Sequence, residues 1–314
     1  MKVLFLILLT LPVFCGAQNF PSKPIRIIVP LAAGGTGDTL ARLVGEELGK
    51  ALSGPVIVEN RPGSGGTIGT EAVARSAPDG YTLMHTSASH IANAALRPKL
   101  AYDAIKDFAV IARTADTHQL LVAHPSFPPG TLQELIQYCK ANRVFYGSSG
   151  NGSSTHLNME LLKSLAGIPM EHVPYKGSTQ SRTDLIAGQI QLSVDGLLPT
   201  LPHIRAGKLK AIALASSRRS VVAPEIPTIA EAGVPDYQTD TWYALYAPAL
   251  VPGPVLEKLR AATRGALQSA ALRDKFLQQG AEPTDPTPSA LEKQMHEDFA
   301  RWARLVTEAK LKVD

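Results

Sequence analysis

Short apolar runs alternate along the chain with stretches in which apolar residues recur every three or four positions. The runs fall at 25–29, 56–59, 82–86, 119–123, 144–148, 171–175, 190–194, 210–215 and 243–247. They are apolar on consecutive positions more than on alternate ones. That pattern predicts strands covered on both faces, as in mainly parallel sheets. The helical stretches have readable ends. Asp38 or Thr39 caps one whose stripe runs Leu40, Leu43, Val44, Leu48, Leu52, and Gly54 stops it. Thr155 caps a second, with Leu157, Leu161, Leu162 and Leu165 as its stripe and Gly167 as its stop. Ser178 caps a third, ended by Gly188. Thr287-Pro288 opens a long final helix with Leu291, Met295, Phe299, Trp302 and Val306 on one face. Strand–helix alternation of this kind reads as α/β.

The plan of strand, Gly-rich loop and helix occurs twice, at "IIVPLAAGGTGDTLARLV" and at "VFYGSSGNGSSTHLNMELL". Two equivalent units with no low-complexity linker suggest two similar lobes joined by crossing segments. The crossings are expected near "TADTHQLLVAHP" and "QTDTWYALYAP". One lobe would then comprise 18–118 and 240–314, the other 119–239.

The first twenty residues differ from the rest. Lys2 precedes an apolar run from Val3 to Val13, too short for a permanent bilayer span, and Cys15-Gly16-Ala17 follows. This is the pattern of a signal peptide over 1–17, cleaved near Ala17. Phe14 is too bulky for a usual lipidation site at Cys15. An exported protein is expected. Cleavage leaves Cys139 as a lone cysteine on a helical pattern, best read as a small buried hydrophobe.

With 314 residues, 45% of them hydrophobic, the chain can bury a sizeable core. A net charge of +4, no Lys/Arg block and 6% aromatics argue against nucleic-acid binding. The eight histidines show no H-x-x-x-H or H-E-x-x-H spacing, so no metal site is expected.

The chemistry lies in the loops. In "PLAAGGTGDTLARL" the glycines serve a tight turn and also leave main-chain N–H groups bare at a helix start, where an anion can sit. Asp38 reads first as a helix cap. The loop matches neither G-x-G-x-x-G nor G-x-x-x-x-G-K-[ST], so no nucleotide cofactor is expected. "GSSGNGSSTH" (147–156) offers a dense set of hydroxyls, and His156 reads as a first-turn residue with a structural hydrogen bond. It lacks G-x-S-x-G. "NRPGSGG" (60–66) reads as a plain surface loop. Asp195, after the strand run at 190–194, is either an exposed turn residue or a ligand contact.

The segments "PSKPIRIIVP-x-x-x-GG-x-x-D", "VIVENRPGSGGTIGTEAVARSAPDGYTL", "YGSSGNGSSTHL", "VPYKGS", "DLIAGQIQLSVDGL", "GKLKAIALASSRRS" and "PEIPTIAEAGVPDY" occur in this order. Together they resemble the Bug-type, or tripartite tricarboxylate transporter, substrate-binding proteins over essentially the whole mature chain. The resemblance implies a two-lobed periplasmic binding protein fold of type II, each lobe a mainly parallel sheet flanked by helices, with a ligand cleft between the lobes. It implies a small organic acid or amide as ligand, held by main-chain N–H groups, hydroxyls and waters more than by a fixed Arg, and no cofactor. Leu31, Gly35, Thr36, Gly37 and Asp38 would form one jaw. Ser149, Ser153, Ser154, Thr155 and His156 would form the other, with Asp195 at the pocket wall and Ser87 and Asn93 lining the cleft. At Leu31 the family often has an aromatic, at Ala33 a proline and at Gly37 a side chain, so a wider or looser first jaw is expected here.

The implied role is a monomeric periplasmic receptor that closes on its ligand and delivers it to the membrane permease subunits of a tripartite tricarboxylate-type transporter. The other readings are a sensor serving a signalling partner and an exported hydrolase. The missing nucleophile, metal and cofactor motifs count against the hydrolase.

Overall fold

The computed structural model describes residues 20–97 and 99–308; the signal peptide expected over residues 1–17 lies outside them. The chain begins β1 (Ile25–Val29), α1 (Thr36–Leu52), β2 (Val56–Asn60), a 3₁₀ turn at Ser64–Gly66, α2 (Thr67–Ala74), β3 (Thr82–Ser87), α3 (Ser89–Leu96) and β4 (Phe108–Thr117). It continues with β5 (Gln119–Ala123), α4 (Leu132–Ala141), β6 (Phe145–Ser148), α5 (Ser154–Ala166), β7 (Glu171–Pro174), α6 (Ser178–Ile186), β8 (Leu192–Gly196), α7 (Leu197–Arg205) and β9 (Lys210–Ala215). It returns through β10 (Thr241–Pro248), α8 (Gly253–Gln268), α9 (Ala270–Gln278), β11 (Ala281–Glu282) and α10 (Pro288–Glu308).

Two sheets result, ordered β11-β4-β10-β3-β1-β2 and β7-β6-β8-β5-β9. This is a two-lobed α/β fold. The parallel part of each sheet is three strands, β2-β1-β3 and β7-β6-β8. The strands next to the crossings run the other way: β10 is antiparallel to β3 and β4, and β5 is antiparallel to β8 and β9. The sheets are therefore mixed rather than mainly parallel. A strand that carries the chain between lobes is not joined to its neighbours by βαβ crossovers, so nothing requires it to run parallel. β4 was absent from the predicted strands because Arg113, Thr114 and Asp116 interrupt its apolar run. It pairs with β10 along eight residue pairs, with two register shifts. Only His118 separates β4, in one sheet, from β5, in the other.

Several helix ends differ from expectation. α1 starts at Thr36 with Gly35 as its N-cap, and Ser53, at φ 52°, closes it in place of Gly54. α5 is capped by Ser153, whose Oγ accepts the His156 N–H at 3.3 Å, and not by Thr155. α6 is preceded by Gly177, with Ser178 its first residue. Gly167 ends α5 in the left-handed region, as expected.

Apolar clusters lie against both sheets. α10 joins two of them. Leu291 and Met295 belong to the apolar cluster that holds Ile28, Met84 and Trp242 of the first lobe, while Trp302 belongs to the one that holds Leu121, Tyr146 and Leu162 of the second. The Trp242 indole N–H donates to Asp298 at 2.9 Å. Phe299, expected on this stripe, is 38% exposed instead. Cys139 is buried among apolar residues, which push its thiol up to about 11. No described helix is long and apolar enough to cross a membrane.

Candidate functional site

β1, β3, β6, β7 and β8 each run directly into a helix at their C-terminal ends. In open α/β sheets that edge is where ligands bind. A cavity of about 590 Å³ lies there, between the lobes. The first residues of five helices border it: Thr36 of α1, Ser89 of α3, Ser154 of α5, Ser178 of α6 and Leu197 of α7. Four of these helices have no side chain capping their starts; α5 alone is capped, by Ser153. Helix starts carry partial positive charge and unpaired N–H groups. Among the described residues no Asp or Glu lines the cavity, whereas Arg97 and Lys176 do. An anion placed there would meet favourable partial charge.

In the first jaw Leu31, Gly35, Thr36 and Gly37 border the cavity. Gly34 turns the chain at φ +76°. Gly37 is closely packed instead. A methyl group there would lie 2.6 Å from Leu31 Cδ1 and 3.0 Å from the Tyr243 ring. Asp38 does not face the cavity. It is buried, accepts the Gly34 N–H at 2.9 Å and pairs with Arg42 at 2.9 Å. Burial raises its pKa, but the bonds from Gly34 and Arg42 outweigh this and hold it below the usual range. It braces the loop from within the first turn rather than capping the helix.

In the second jaw Ser149, Ser153, Ser154 and Thr155 border the cavity. Thr155 Oγ1 accepts the Ser149 N–H at 2.8 Å and lies 2.9 Å from Ser149 Oγ and 3.0 Å from Ser153 Oγ. His156 sits behind this loop. Its Nδ1 accepts the Gly152 N–H at 3.1 Å, and its ring stacks on His172 at 3.9 Å. Gln119, between the jaws, donates to Ser154 Oγ at 2.8 Å and is itself held by Asn158 at 2.7 Å.

Ser87 borders the cavity, its hydroxyl 2.8 Å from that of Ser89. Asn93 is buried behind it and ties the lobes together. Its amide donates to the Gly65 carbonyl at 2.9 Å and the Gly152 carbonyl at 3.1 Å, one on each lobe. Asp195 is 2% exposed, so it is not an exposed turn residue. It accepts from Arg182 Nε at 2.6 Å, Arg182 Nη2 at 3.1 Å and the Gly196 N–H at 2.7 Å. It borders a second hollow of about 490 Å³ next to the main cavity.

Reading the sequence alone missed three contributors. The loop Pro62–Gly66, expected on the plain surface, lines the cavity, and Gly63, Gly65 and Gly66 all have positive φ. Three such glycines in four positions were the available signal. Arg97 and His118 also line it. Neither stands in a motif, and tertiary folding alone brings them there. Among the described residues no group of three His, Cys, Asp or Glu is placed to hold a metal.

A family model described as "Tripartite tricarboxylate transporter family receptor" matches residues 40–311. Protein BugT of Bordetella pertussis is 37% identical over 303 residues, covering 95% of this chain and 93% of that protein. Among solved structures, the periplasmic binding protein BugD superposes with a TM-score of 0.86 at 32% identity, covering 93% of this chain and 99% of BugD. MatC from Rhodopseudomonas palustris with bound malate gives a TM-score of 0.85 at 36% identity, covering 91% of this chain and all of MatC (100%).

Proposed function

The chain belongs to the tripartite tricarboxylate transporter receptor family, and from that premise we propose that it captures a small organic acid in the periplasm and delivers it to the permease of such a transporter. The observation that carries the reading is the cavity between two lobes, bordered by five helix starts and, among the described residues, by no Asp or Glu. A carboxylate placed there meets main-chain N–H groups and hydroxyls at little reorganisation cost. Leu31, Gly35, Thr36 and Gly37 of one jaw and Ser149, Ser153, Ser154 and Thr155 of the other make the contacts, with Ser87 between them. Asp38, Asn93, His156 and Asp195 hold those loops in shape from behind. Malate bound to MatC supports an acid ligand.

Closure follows from differential contact. The jaws belong to different sheets, so a ligand touching both favours the form in which they meet. The serine nearest an imidazole, Ser148, lies 2.6 Å from His172 but is fully buried and off the cavity, which supports a binding role over hydrolysis. The leader over 1–17 supports export. We take the receptor as a monomer that meets its permease after closure.

A thermal-shift screen of residues 18–314 against mono- and dicarboxylates, amino acids and amides tests the reading. A true ligand at 100 times its Kd adds about 2.7 kcal/mol of apparent stability. A shift with acids and none with neutral compounds is the expected result. Binding confined to neutral compounds would overturn it.

A further inference from the structure

The Arg97 guanidinium has no carboxylate partner among the described residues, which is unusual for a half-buried cation in this protein. It stands at the cavity edge, between the two lobes. Nη1 donates to Asn93 Oδ1, and Nη2 is buried with no hydrogen-bond partner. A buried charged donor left unpaired is costly, and native proteins rarely leave one so. The surroundings are shaped to keep it there. A methyl group on Gly152 would lie 2.9 Å from Nη1 and 3.3 Å from Nη2; one on Gly65 would lie 3.1 Å from Nη1. Both glycines have positive φ, and they come from opposite lobes. Two bare stretches of main chain thus clasp the guanidinium, and no acid of the described protein answers its charge.

We propose that Arg97 is the specificity-determining residue that pairs with a second acidic group of the ligand. The inference rests on the receptor reading above. The helix starts take one carboxylate, and Arg97 takes the other. A ligand with two anionic ends then satisfies both, whereas a monocarboxylate leaves the guanidinium unanswered. Because Arg97 is clasped by both lobes, the second acid also favours the form in which the lobes meet.

Calorimetric titration of the mature protein with malate, succinate, glutarate and adipate identifies the best diacid. Its half-amide, which keeps the shape and loses one charge, is then titrated in the same way. The expected result is roughly 10- to 100-fold weaker binding of the half-amide, the range for loss of a charge-assisted hydrogen bond. Arg97→Gln should reduce that difference to about threefold or less, and Arg97→Lys should restore part of it. Equal binding of diacid and half-amide by the unaltered protein overturns the assignment, and this comparison does not depend on how the variants fold. So does a diacid preference that survives in Arg97→Gln. Tight binding of monocarboxylates with no preference for diacids removes Arg97 alone and leaves the receptor reading intact. Absence of binding by any acid removes both.

Discussion

The Thr155 hydroxyl takes the Ser149 N–H and touches two serine hydroxyls, so one oxygen fixes the shape of the second jaw. Thr155→Val keeps the volume and removes those bonds. Ligand affinity should fall about tenfold, with a stability loss of about 1–2 kcal/mol, read by calorimetry and urea unfolding. Asp195 belongs to a different class. Its carboxylate is the partner of Arg182, whose side chain is 15% exposed. Asp195→Ala strands that cation, and unfolding should become easier by about 3–5 kcal/mol. A stability change under 1 kcal/mol in a denaturant titration would show that the pair contributes little. His85 and His90 are buried, and burial lowers each to about 4. Between pH 6.5 and 4 the unfolded chain takes up protons at these two rings that the folded protein refuses. Stability should therefore be full above about pH 7 and fall as pH drops through this window, by up to about 1.4 kcal/mol per pH unit for each ring. Melting curves from pH 7.5 to 4.5 check the sign.

At the scale of elements, α10 joins the apolar layers of both lobes, with Leu291 and Met295 on one and Trp302 on the other. Trp302→Ala should cost about 3–5 kcal/mol in urea unfolding. A loss under 1 kcal/mol would mean that the helix end adds little to the second lobe. Elements of this kind were legible where local signals agree. The apolar run at Ile25–Val29, the Leu157, Leu161 and Leu162 part of the α5 stripe and the stop at Gly167 all act within a few residues of one another, whereas Leu165 is 38% exposed. β4 was not legible, because its polar positions are satisfied by partners far along the chain, such as Thr114, which bonds the Tyr243 carbonyl at 3.0 Å. Phe299 marks the opposite failure, a residue with the right spacing that the described residues leave 38% exposed. The site divides likewise. Gly-rich loops announced two of its walls, while Arg97 and the Pro62–Gly66 loop enter only through packing between helices and lobes.

The whole molecule is two sheets whose jaws are linked at Asn93 and at the clasped Arg97. Gly152, at φ +72°, sits where that link is tightest. Gly152→Ala puts a methyl group against both Asn93 and Arg97 and should keep the lobes from meeting. Small-angle scattering with saturating acid should then give a larger radius of gyration than for the unaltered protein, and affinity should drop about tenfold or more. An identical compaction of both proteins would show that this contact does not limit closure. The helix starts that line the cavity have a longer-range consequence. In the receptor reading an acid would be gripped by peptide N–H groups, atoms that every residue type except proline supplies, so a substitution that keeps the shape of the loop, unlike those at Thr155 and Gly152, would leave the grip in place. The cavity would thus work as a fixed socket with exchangeable adaptors: a changed side chain at its edge, such as Leu31 or Arg97, would alter which acid is preferred without removing the capacity to hold one.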